Sequence, residues 1–587
     1  MIEIMKSRLY NFIIILVALF GTVSCEDRFL KTPLDNDLTA AEIFSSKQKA
    51  MSAIAQAYSD AIRINITCGD DNSRTYGMVS GTLAHISGEL NGFRYNWSDP
   101  VAISASGMSA TGNNKIDNFG FNYKAIRRCY TVIENIKSVP DMTEAEKENV
   151  IGEMYSLIAY RYCRMLIQYG GVPIVDGIVA FDEKDLKRST VKEVMEHIIR
   201  LCDEEALPRL LDEQPANMRG RATKGVALAI KAQTYLYCAR PLFNTDKPYL
   251  SLGGENDKLL CMGASSSKAL WEKARDASKA VIDWARTGNR YEIINTGDPF
   301  NDYGTAVAAP DSREVMFSWQ AFYARHYDPR QQGGGANNMS YTQLKHYLKA
   351  NGEEQTWPED LAADKWADVA DYSKRLEEME PRYWASAVPG GYDARNNEGY
   401  TAWKANKMCD YGNWEGRANV EQCGRRCKFW YHAGDRTWFN FPIYRLAYFY
   451  LALAEAENEL GNVKSAQDAL HITRGRAGLP KITISDKTKL RAAIQREWAV
   501  EFYEENHRLF DVKHWKLEDL GNGIIGGDKK GFRFSYVTSS SGSDSLTNYK
   551  GYKVDVFYKG FWSENQYLNP FPDSEVNKGY LVQNPGY

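Results

Sequence analysis

The stretch IYRLAYFYLALAEAENELGNVKSAQDALHITRGRAGLP, residues 443–480, decides how this chain folds. Apolar residues recur at helical spacing over 446–460, and Gly461 then interrupts the pattern. A second helical run covers 464–476 and ends before Gly478. Two helices joined by so short a connection lie antiparallel, so the stretch predicts a helical hairpin.

Further helices are predicted before this hairpin. The segment 223–240, TKGVALAIKAQTYLYCAR, is apolar on nearly all sides, which indicates a helix buried over most of its circumference. The hairpin resembles a tetratricopeptide unit, and 223–240 is similar to the first helix of another. Because a single unit cannot bury its apolar face, the sequence predicts an all-α fold of several stacked hairpins. Helix starts are marked by capping boxes: Thr39 with Glu42, Thr143 with Glu146, and Thr190 with Glu193.

The composition is that of a soluble globular protein, with 44% hydrophobic and 25% charged residues. A formal net charge of −3 offers no basic excess for a phosphate backbone, so nucleic acid is not expected as a partner. The chain also holds 36 Tyr, 14 Trp and 23 Phe. These are more flat amphipathic side chains than a core alone absorbs, and such rings suit sugar rings or peptide side chains as ligands.

The first residues, 1–24, have the three parts of a secretory signal peptide. Lys6 and Arg8 precede an apolar stretch over 12–20, and small residues follow it. This apolar stretch is less than half as long as the ~20 residues that span a bilayer. The segment is therefore expected to be cleaved rather than retained as a transmembrane helix.

Cys25 follows directly and, with Glu26 and Asp27 after it, resembles the lipobox cysteine of a bacterial lipoprotein, although Thr22 stands where such signals usually have Leu. This resemblance implies that the Cys25 sulfur is acylated and that residues 25–38 form a lipidated tether. Each buried CH₂ contributes about 0.8 kcal/mol, so more than one acyl chain gives a lasting anchor. The acidic residues resemble the signal that sends such lipoproteins to the outer face of the outer membrane.

Four segments together resemble the SusD/RagB family of nutrient-binding outer-membrane lipoproteins in their order and spacing. They are YRYCRMLIQYGGVPIV (160–175), the hairpin stretch 443–480, LRAAIQREWAVEFYEENHRLFDVKHW (490–515) and NPFPDSEVNKGYLVQNPGY (569–587). The resemblance runs from Cys25 to Tyr587. It implies an all-helical scaffold of tetratricopeptide-like hairpins with long irregular loops, with an N-terminal region over 39–240 and a C-terminal region over 241–587.

The family resemblance also implies a function. We expect a surface-exposed protein that captures oligosaccharides without cleaving them and delivers them to a SusC-like TonB-dependent transporter. The RagB branch implies an alternative ligand, an extended peptide. A further alternative is a glycoside hydrolase with its carboxylates on loops. The sequence contains no nucleophile elbow, H-E-x-x-H motif or Gly-rich phosphate loop, and neither a catalytic site nor a cofactor is expected.

Glycan-binding members of the family carry an arc of aromatic side chains on loops, and two long loop regions here are rich in such residues. Sugar recognition requires a stacking ring and fixed amide, carboxylate or guanidinium groups. Packing beneath a loop is the alternative for each ring, and Trp319 follows an alternating run, 315–317, that favours a short strand entering the core. The expected ligand-binding residues are Asp70, Arg74, Tyr95 and Trp97 in the first region, and Trp319 and Tyr323 in the second.

Carboxylates spaced along one segment near residue 500 are candidates for catalysis, since residues four apart share a helix face. Several arginines lie close in sequence, and ion pairing is the favoured interpretation. The carboxylates are Glu497, Glu501, Glu504 and Glu505, and the arginines are Arg474, Arg476, Arg491, Arg496 and Arg508.

Two smaller clusters leave alternatives open. Cys409, Cys423 and Cys427 lie close enough in sequence for one disulfide bridge or a zinc site, but they lack the second CxxC or His pair of zinc sites, and no metal is expected. The oxygen-rich segment 298–302 matches no established calcium loop, which favours a solvated turn.

Overall fold

The computed structural model describes residues 39–62, 83–91, 99–111, 119–179, 186–322, 338–389, 423–429, 438–536 and 549–587. Helices make up most of the scaffold, which confirms the predicted fold class. Within these ranges no helix is both long and apolar enough to cross a membrane. In chain order the helices are α1 (Ala40–Ile43), α2 (Lys47–Ile62), α3 (Asp99–Ser106), α4 (Phe119–Ile136), α5 (Glu144–Tyr169), α6 (Val191–Arg200), α7 (Lys224–Ala239), α8 (Lys268–Arg286), α9 (Pro299–Ala308), α10 (Tyr341–Leu344), α11 (Val369–Glu377), α12 (Pro381–Ser386), α13 (Leu446–Leu460), α14 (Val463–Arg476), α15 (Lys487–Glu501), α16 (Arg508–His514) and α17 (Asp573–Val576).

Capping boxes begin α1, α5 and α6, as predicted. At α5 the Thr143 N–H donates to the Glu146 carboxylate at 2.9 Å, and the Glu146 N–H donates to Thr143 Oγ1 at 3.3 Å. These bonds satisfy N–H groups that have no partner inside the helix. The helix ends at Gly170, where φ is +77° and a Cβ would come within 2.6 Å of the Leu259 carbonyl oxygen. Glycine is the residue that fits there.

The helices pack against one another as a continuous stack of hairpins. α2 packs on α4, α4 on α5, and α5 on both α6 and α7. α7 then packs on α8, α8 on α13, and α13 on α14 and α15. α13 and α14 form the hairpin predicted from 443–480, joined at Gly461 with a left-handed φ of +87°. α7 lies between α5 and α8 and is buried on most sides, which confirms the prediction for 223–240.

Small antiparallel sheets lie beside this stack. The strands are β1 (Leu90–Asn91), β2 (Val315–Phe322), β3 (Asn338–Met339), β4 (Ala387–Val388), β5 (Arg425–Arg426), β6 (Trp438–Arg445), β7 (Gly527–Tyr536) and β8 (Tyr549–Gly560). β2 pairs with β6, β7 pairs with β8, and a third sheet has the order β1-β3-β5-β4. Because β2 includes 315–317 and Phe317 is buried, the predicted short strand that enters the core is confirmed.

A cluster of buried charges joins the helical stack to the sheets. Glu501 Oε1 accepts hydrogen bonds from Arg445 at 2.6 Å and from Arg476. Its Oε2 atom accepts one from Arg382 Nη1 at 3.3 Å. Burial would raise the pKa of Glu501, but the attraction of the three guanidinium groups lowers it well below its ordinary value. The side chain is therefore a buried carboxylate shared by three segments of the chain.

The other glutamates near residue 500 are also buried and paired, which confirms the ion-pair interpretation. The partners come mostly from distant segments, so the expected set of arginines is partly wrong. Arg476 does reach Glu501, whereas Arg491 and Arg496 pair elsewhere. The remaining contacts are Glu497 with Arg382 at 2.6 Å, Glu504 with Arg426 at 3.0 Å, and Glu505 with Arg445 at 2.8 Å and Lys428 at 2.7 Å.

The substitution Glu501→Gln removes the shared carboxylate while keeping its shape. Because the guanidinium groups then stay buried without this counter-charge, we expect the free energy of unfolding to fall by about 3–5 kcal/mol, measured by urea denaturation. Lys464→Gln is the control, since it breaks an exposed pair with Asp468 and is expected to change the same quantity by less than about 1 kcal/mol. Equal effects of the two substitutions would contradict the structural role of Glu501.

Glu89, directly before β1, is a buried acid of a different kind. It accepts hydrogen bonds from Ser87 Oγ at 2.6 Å and from the Glu504 N–H at 2.8 Å. Burial outweighs these bonds and raises the pKa of Glu89 from an ordinary value of 4.5 to about 7. The folded protein therefore holds a proton on this carboxyl at pH values where the unfolded chain has released it.

This raised pKa makes the stability depend on pH. A carboxyl that binds its proton more tightly when folded contributes stability that is lost as the pH rises from about 4.5 to about 7. Glu89→Gln mimics the protonated acid, so we expect its free energy of unfolding, relative to the wild-type protein, to increase by on the order of 2 kcal/mol between pH 5 and pH 7.5. Urea denaturation at both pH values measures this difference, and a pH-independent difference would show that Glu89 holds no proton.

Candidate functional site

A cleft of about 1050 Å³ opens between the helical stack and the β2–β6 pair. Its walls come from α2, from the loop 212–223 before α7, from the turn 288–291 after α8, and from the start of β2. A volume of this size is at the upper end of the range for small-molecule sites and is large enough for a short oligosaccharide. The cleft is therefore the candidate functional site.

One wall of the cleft carries stacked aromatic rings. Tyr291 lines the cleft and stacks on Trp284 of α8, with ring centroids 5.7 Å apart and 30° between the ring planes. Trp284 Nε1 donates a hydrogen bond to Asp212 at 2.8 Å, and the Arg290 guanidinium lies 5.4 Å from its ring centroid. These contacts hold Tyr291 as a rigid ring at the wall of the cleft, which is what stacking on a pyranose requires.

Polar groups with fixed positions surround this ring. Arg221 Nε donates to Glu153 at 2.6 Å, while Arg221 Nη2 is buried without a hydrogen-bond partner among the described residues. Asn440 Nδ2 donates to the Pro310 carbonyl at 2.8 Å. Both side chains line the cleft, and guanidinium and amide groups of this kind bond the hydroxyl groups of sugars.

Glu153 of α5 holds Arg221 in position at the cleft. Besides Arg221, its carboxylate accepts a hydrogen bond from the Tyr58 hydroxyl at 2.6 Å. The same hydroxyl accepts one from the Ala222 N–H at 2.8 Å, which ties the loop 212–223 to α2. Burial would lower the pKa of Arg221, but Glu153 raises it above its ordinary value, so the guanidinium group stays charged at the cleft.

Of the ligand-binding residues expected from the sequence, the described ranges contain Trp319. It lies on β2 opposite Phe441 of β6, is half-buried, and packs against the core. The preceding residue, Ser318, lines the cleft. The other expected ligand-binding residues and the lipidation site lie outside the described residues: Asp70, Arg74, Tyr95, Trp97, Tyr323 and Cys25.

Sequence patterns did not indicate Tyr291, Trp284, Arg219 or Arg221 as site residues. Trp284 belongs to the apolar spacing of α8 and packs against the core. Tyr291, Arg219 and Arg221 stand in short connections next to helices, where no periodicity predicts which way a side chain points. The one local signal is the pair of arginines around Gly220.

Both carboxylates among the described lining residues have partners within the fold. Asp212 accepts the Trp284 N–H and pairs with Lys224 at 3.2 Å, and Glu213 pairs with Arg290 at 3.5 Å. The glutamates considered above as catalytic candidates lie in the buried charge cluster and do not line the cleft. In the part of the chain that the structure describes, no three His, Cys, Asp or Glu side chains are grouped to hold a metal ion.

The two smaller sequence clusters have simple positions in the fold. Cys423 and Cys427 are buried and do not bridge each other, and Cys409 lies outside the described residues. Asp298 caps α9 by accepting a hydrogen bond from the Asn301 N–H at 3.2 Å. Asp302 is buried and accepts hydrogen bonds from Thr296, so 298–302 is the capped start of a helix and the expected solvated turn is wrong.

Two family models match the chain. One, described as the SusD family, matches residues 284–587, which is more than half of the chain. The other, described as starch-binding associating with outer membrane, matches residues 29–236. No curated protein sequence matches the chain.

Solved structures share the fold over nearly the whole chain. A SusD-like protein from Bacteroides fragilis has a TM-score of 0.71 at 23% identity and covers 95% of this chain and 100% of its own. A SusD-like carbohydrate-binding protein from the same organism has a TM-score of 0.62 at 20% identity, covering 91% and 99%. A laminarin-binding SusD-like protein has a TM-score of 0.54 at 16% identity, covering 93% and 100%. The resemblance first seen in four sequence segments is confirmed, and the chain belongs to the SusD family.

Proposed function

We propose that this protein binds oligosaccharides at the surface of a Gram-negative cell and delivers them, uncleaved, to a SusC-like TonB-dependent transporter. Family membership is the observation that carries the proposal, because the SusD family model covers more than half of the chain. The model that matches the N-terminal part is described as starch-binding and as associating with the outer membrane. A laminarin-binding and a carbohydrate-binding protein with the same fold support a glycan as the ligand.

The cleft supports a binding function in physical terms. Its aromatic ring and its guanidinium and amide groups already have partners within the fold before any ligand arrives, so binding spends little free energy on ordering them. A site of this kind grips a sugar by one apolar face and by its hydroxyl groups. In the proposal, the loops that hold Asp70, Arg74, Tyr95, Trp97 and Tyr323 add further contacts to the same ligand.

The location and the partner are further parts of the proposal. Acylation of Cys25 would hold the protein at the outer leaflet, and the tether 25–38 would join the lipid to the helical scaffold. In the proposal, the scaffold consists of an N-terminal region, 39–240, and a C-terminal region, 241–587. The transporter accepts the captured oligosaccharide from below, so no cofactor and no catalytic residue is needed.

Removal of Tyr291 tests the glycan site. We expect Tyr291→Ala to weaken binding by about 1–3 kcal/mol, because a ring anchor and its stacking contacts are lost. Trp319, the residue expected from the sequence, packs against the core beside the cleft lining, and Trp319→Ala is measured in the same way. Isothermal titration against a panel of oligosaccharides measures the affinity, with the bound glycan recovered at unchanged length. Trp366→Ala is the matched control, since this exposed ring lies on another part of the surface and is not part of the cleft lining.

The panel also contains extended peptides, so that the ligand class is decided in one experiment. If no oligosaccharide binds and a peptide does, the glycan proposal is wrong while the scaffold assignment stands. Thermal denaturation of each variant is recorded alongside. A variant that melts early but binds normally when folded shows that its ring belongs to the core.

Lipid attachment has its own test. We expect the wild-type protein to incorporate labelled palmitate and to fractionate with outer membranes, and Cys25→Ser to lose both properties because no sulfur remains to be acylated. Cys129→Ser is the control, since this thiol is buried in the helical core. Equal labelling of wild type and Cys25→Ser would refute the anchor.

A further inference from the structure

Positively charged side chains outnumber negatively charged ones in the described lining of the cleft. Among the described residues, four arginines and two carboxylates line it: Arg219, Arg221, Arg290, Arg313, Asp212 and Glu213. A neutral sugar needs hydrogen-bond donors and acceptors but no net charge. An excess of guanidinium groups therefore raises the question of which arginines are already neutralised by the protein itself.

Three of the four arginines have a carboxylate partner within the fold. Arg221 pairs with Glu153 at 2.6 Å, Arg313 with Glu292 at 2.9 Å, and Arg290 with Glu213 at 3.5 Å. The lining carboxylate that remains, Asp212, pairs with Lys224. These pairs cancel, so among the described lining residues the uncompensated charge comes from a single side chain.

That residue is Arg219. Its side chain is exposed, lines the cleft, and has no ion-pair partner in the part of the chain that the structure describes. Arg219 and Tyr291 line the same cleft. Burial raises the pKa of Tyr291, the positive charge of Arg219 opposes that rise, and the Glu213 carboxylate adds to it. A sugar bound against Tyr291 would therefore lie near a guanidinium group that has no ion pair among the described residues.

Arg221 lies on the same loop and is already held within the fold. Its Nε donates to Glu153, and its Nη2 atom is buried, so a ligand in the cleft reaches the exposed Arg219 more readily. Carboxylate and sulfate oxygens are the acceptors that guanidinium groups bind most strongly.

We infer that the cleft selects oligosaccharides with anionic substituents, such as uronic acids or sulfated sugars, and that Arg219 contacts the anionic group. This inference rests on the proposed glycan-binding function and names the ligand class for the same cleft. Stacking on Tyr291 supplies affinity for any pyranose, and Arg219 supplies the preference for charge.

The test compares each acidic oligosaccharide with its own neutral form. The probes are tetrasaccharides of galacturonate, mannuronate and chondroitin sulfate, each with its carboxyl-reduced or desulfated counterpart, together with neutral glucans. We expect at least one acidic tetrasaccharide to bind at least tenfold more tightly than its neutral counterpart, because a charge-assisted bond to a guanidinium group is lost in the latter. Raising the salt concentration should reduce this difference.

Arg219→Gln is the decisive variant, since the side chain is exposed and supports no buried carboxylate. It should lower affinity for the acidic tetrasaccharide about tenfold and leave the affinity for its neutral counterpart within about twofold. Lys464→Gln removes the same charge at an exposed position outside the cleft lining and should change neither affinity. Arg221→Gln is less informative because it leaves Glu153 buried without its partner.

The outcomes separate the two proposals. If neutral glucans bind and no acidic probe binds more tightly than its neutral form, the inference about charge is wrong and glycan binding stands. If Arg219→Gln weakens acidic and neutral probes equally, the arginine does not select for charge and the inference is likewise wrong. If no glycan of either kind binds, the proposed function itself fails.

Discussion

Glu501 is the point on which the rest of the structure depends, because three guanidinium groups from separate parts of the chain share its carboxylate. Arg382 comes from α12, Arg445 from the end of β6 and Arg476 from the end of α14. Each buried charge is costly to dehydrate, and the cost is offset when all partners are in place. A partly assembled cluster would leave charges buried without counter-charges. Only the complete arrangement of these segments therefore has a low free energy.

The same cluster sets one wall of the cleft. Glu314, directly before β2, pairs with Arg445 at 2.8 Å and Arg476 at 3.0 Å, and its carboxylate accepts a hydrogen bond from the Ile294 N–H at 3.2 Å. The start of β2 and the segment after Tyr291 are thereby fixed to the core. On the opposite side Glu153 holds Arg221 in the same way. The rigid parts of the site are thus those in direct contact with buried acids, which is how a binding surface stays ordered without its ligand.

The features that could be predicted from the sequence are those with local causes. The hairpin of α13 and α14 follows from helical spacing and Gly461, and three helix starts follow from capping boxes. Of the three partners of Glu501, Arg476 was predicted, but Arg382 and Arg445 could not be, because they are distant in sequence and a charged residue does not indicate its partner. The β7–β8 hairpin was also missed, since its period-two alternation of apolar residues is clear only around Phe532 and Phe534. Tyr291 and Arg219 come together only when α8 packs on α7, which no single segment encodes.

In the proposed function, a rigid cleft at the edge of the helical stack binds a sugar against Tyr291. The most direct measurement is a crystal structure of the complete protein with a tetrasaccharide that binds in solution. We expect electron density for a pyranose ring stacked on Tyr291, with the ligand in contact with Arg219. An oligosaccharide bound elsewhere on the surface, with the cleft filled by water alone, would contradict it.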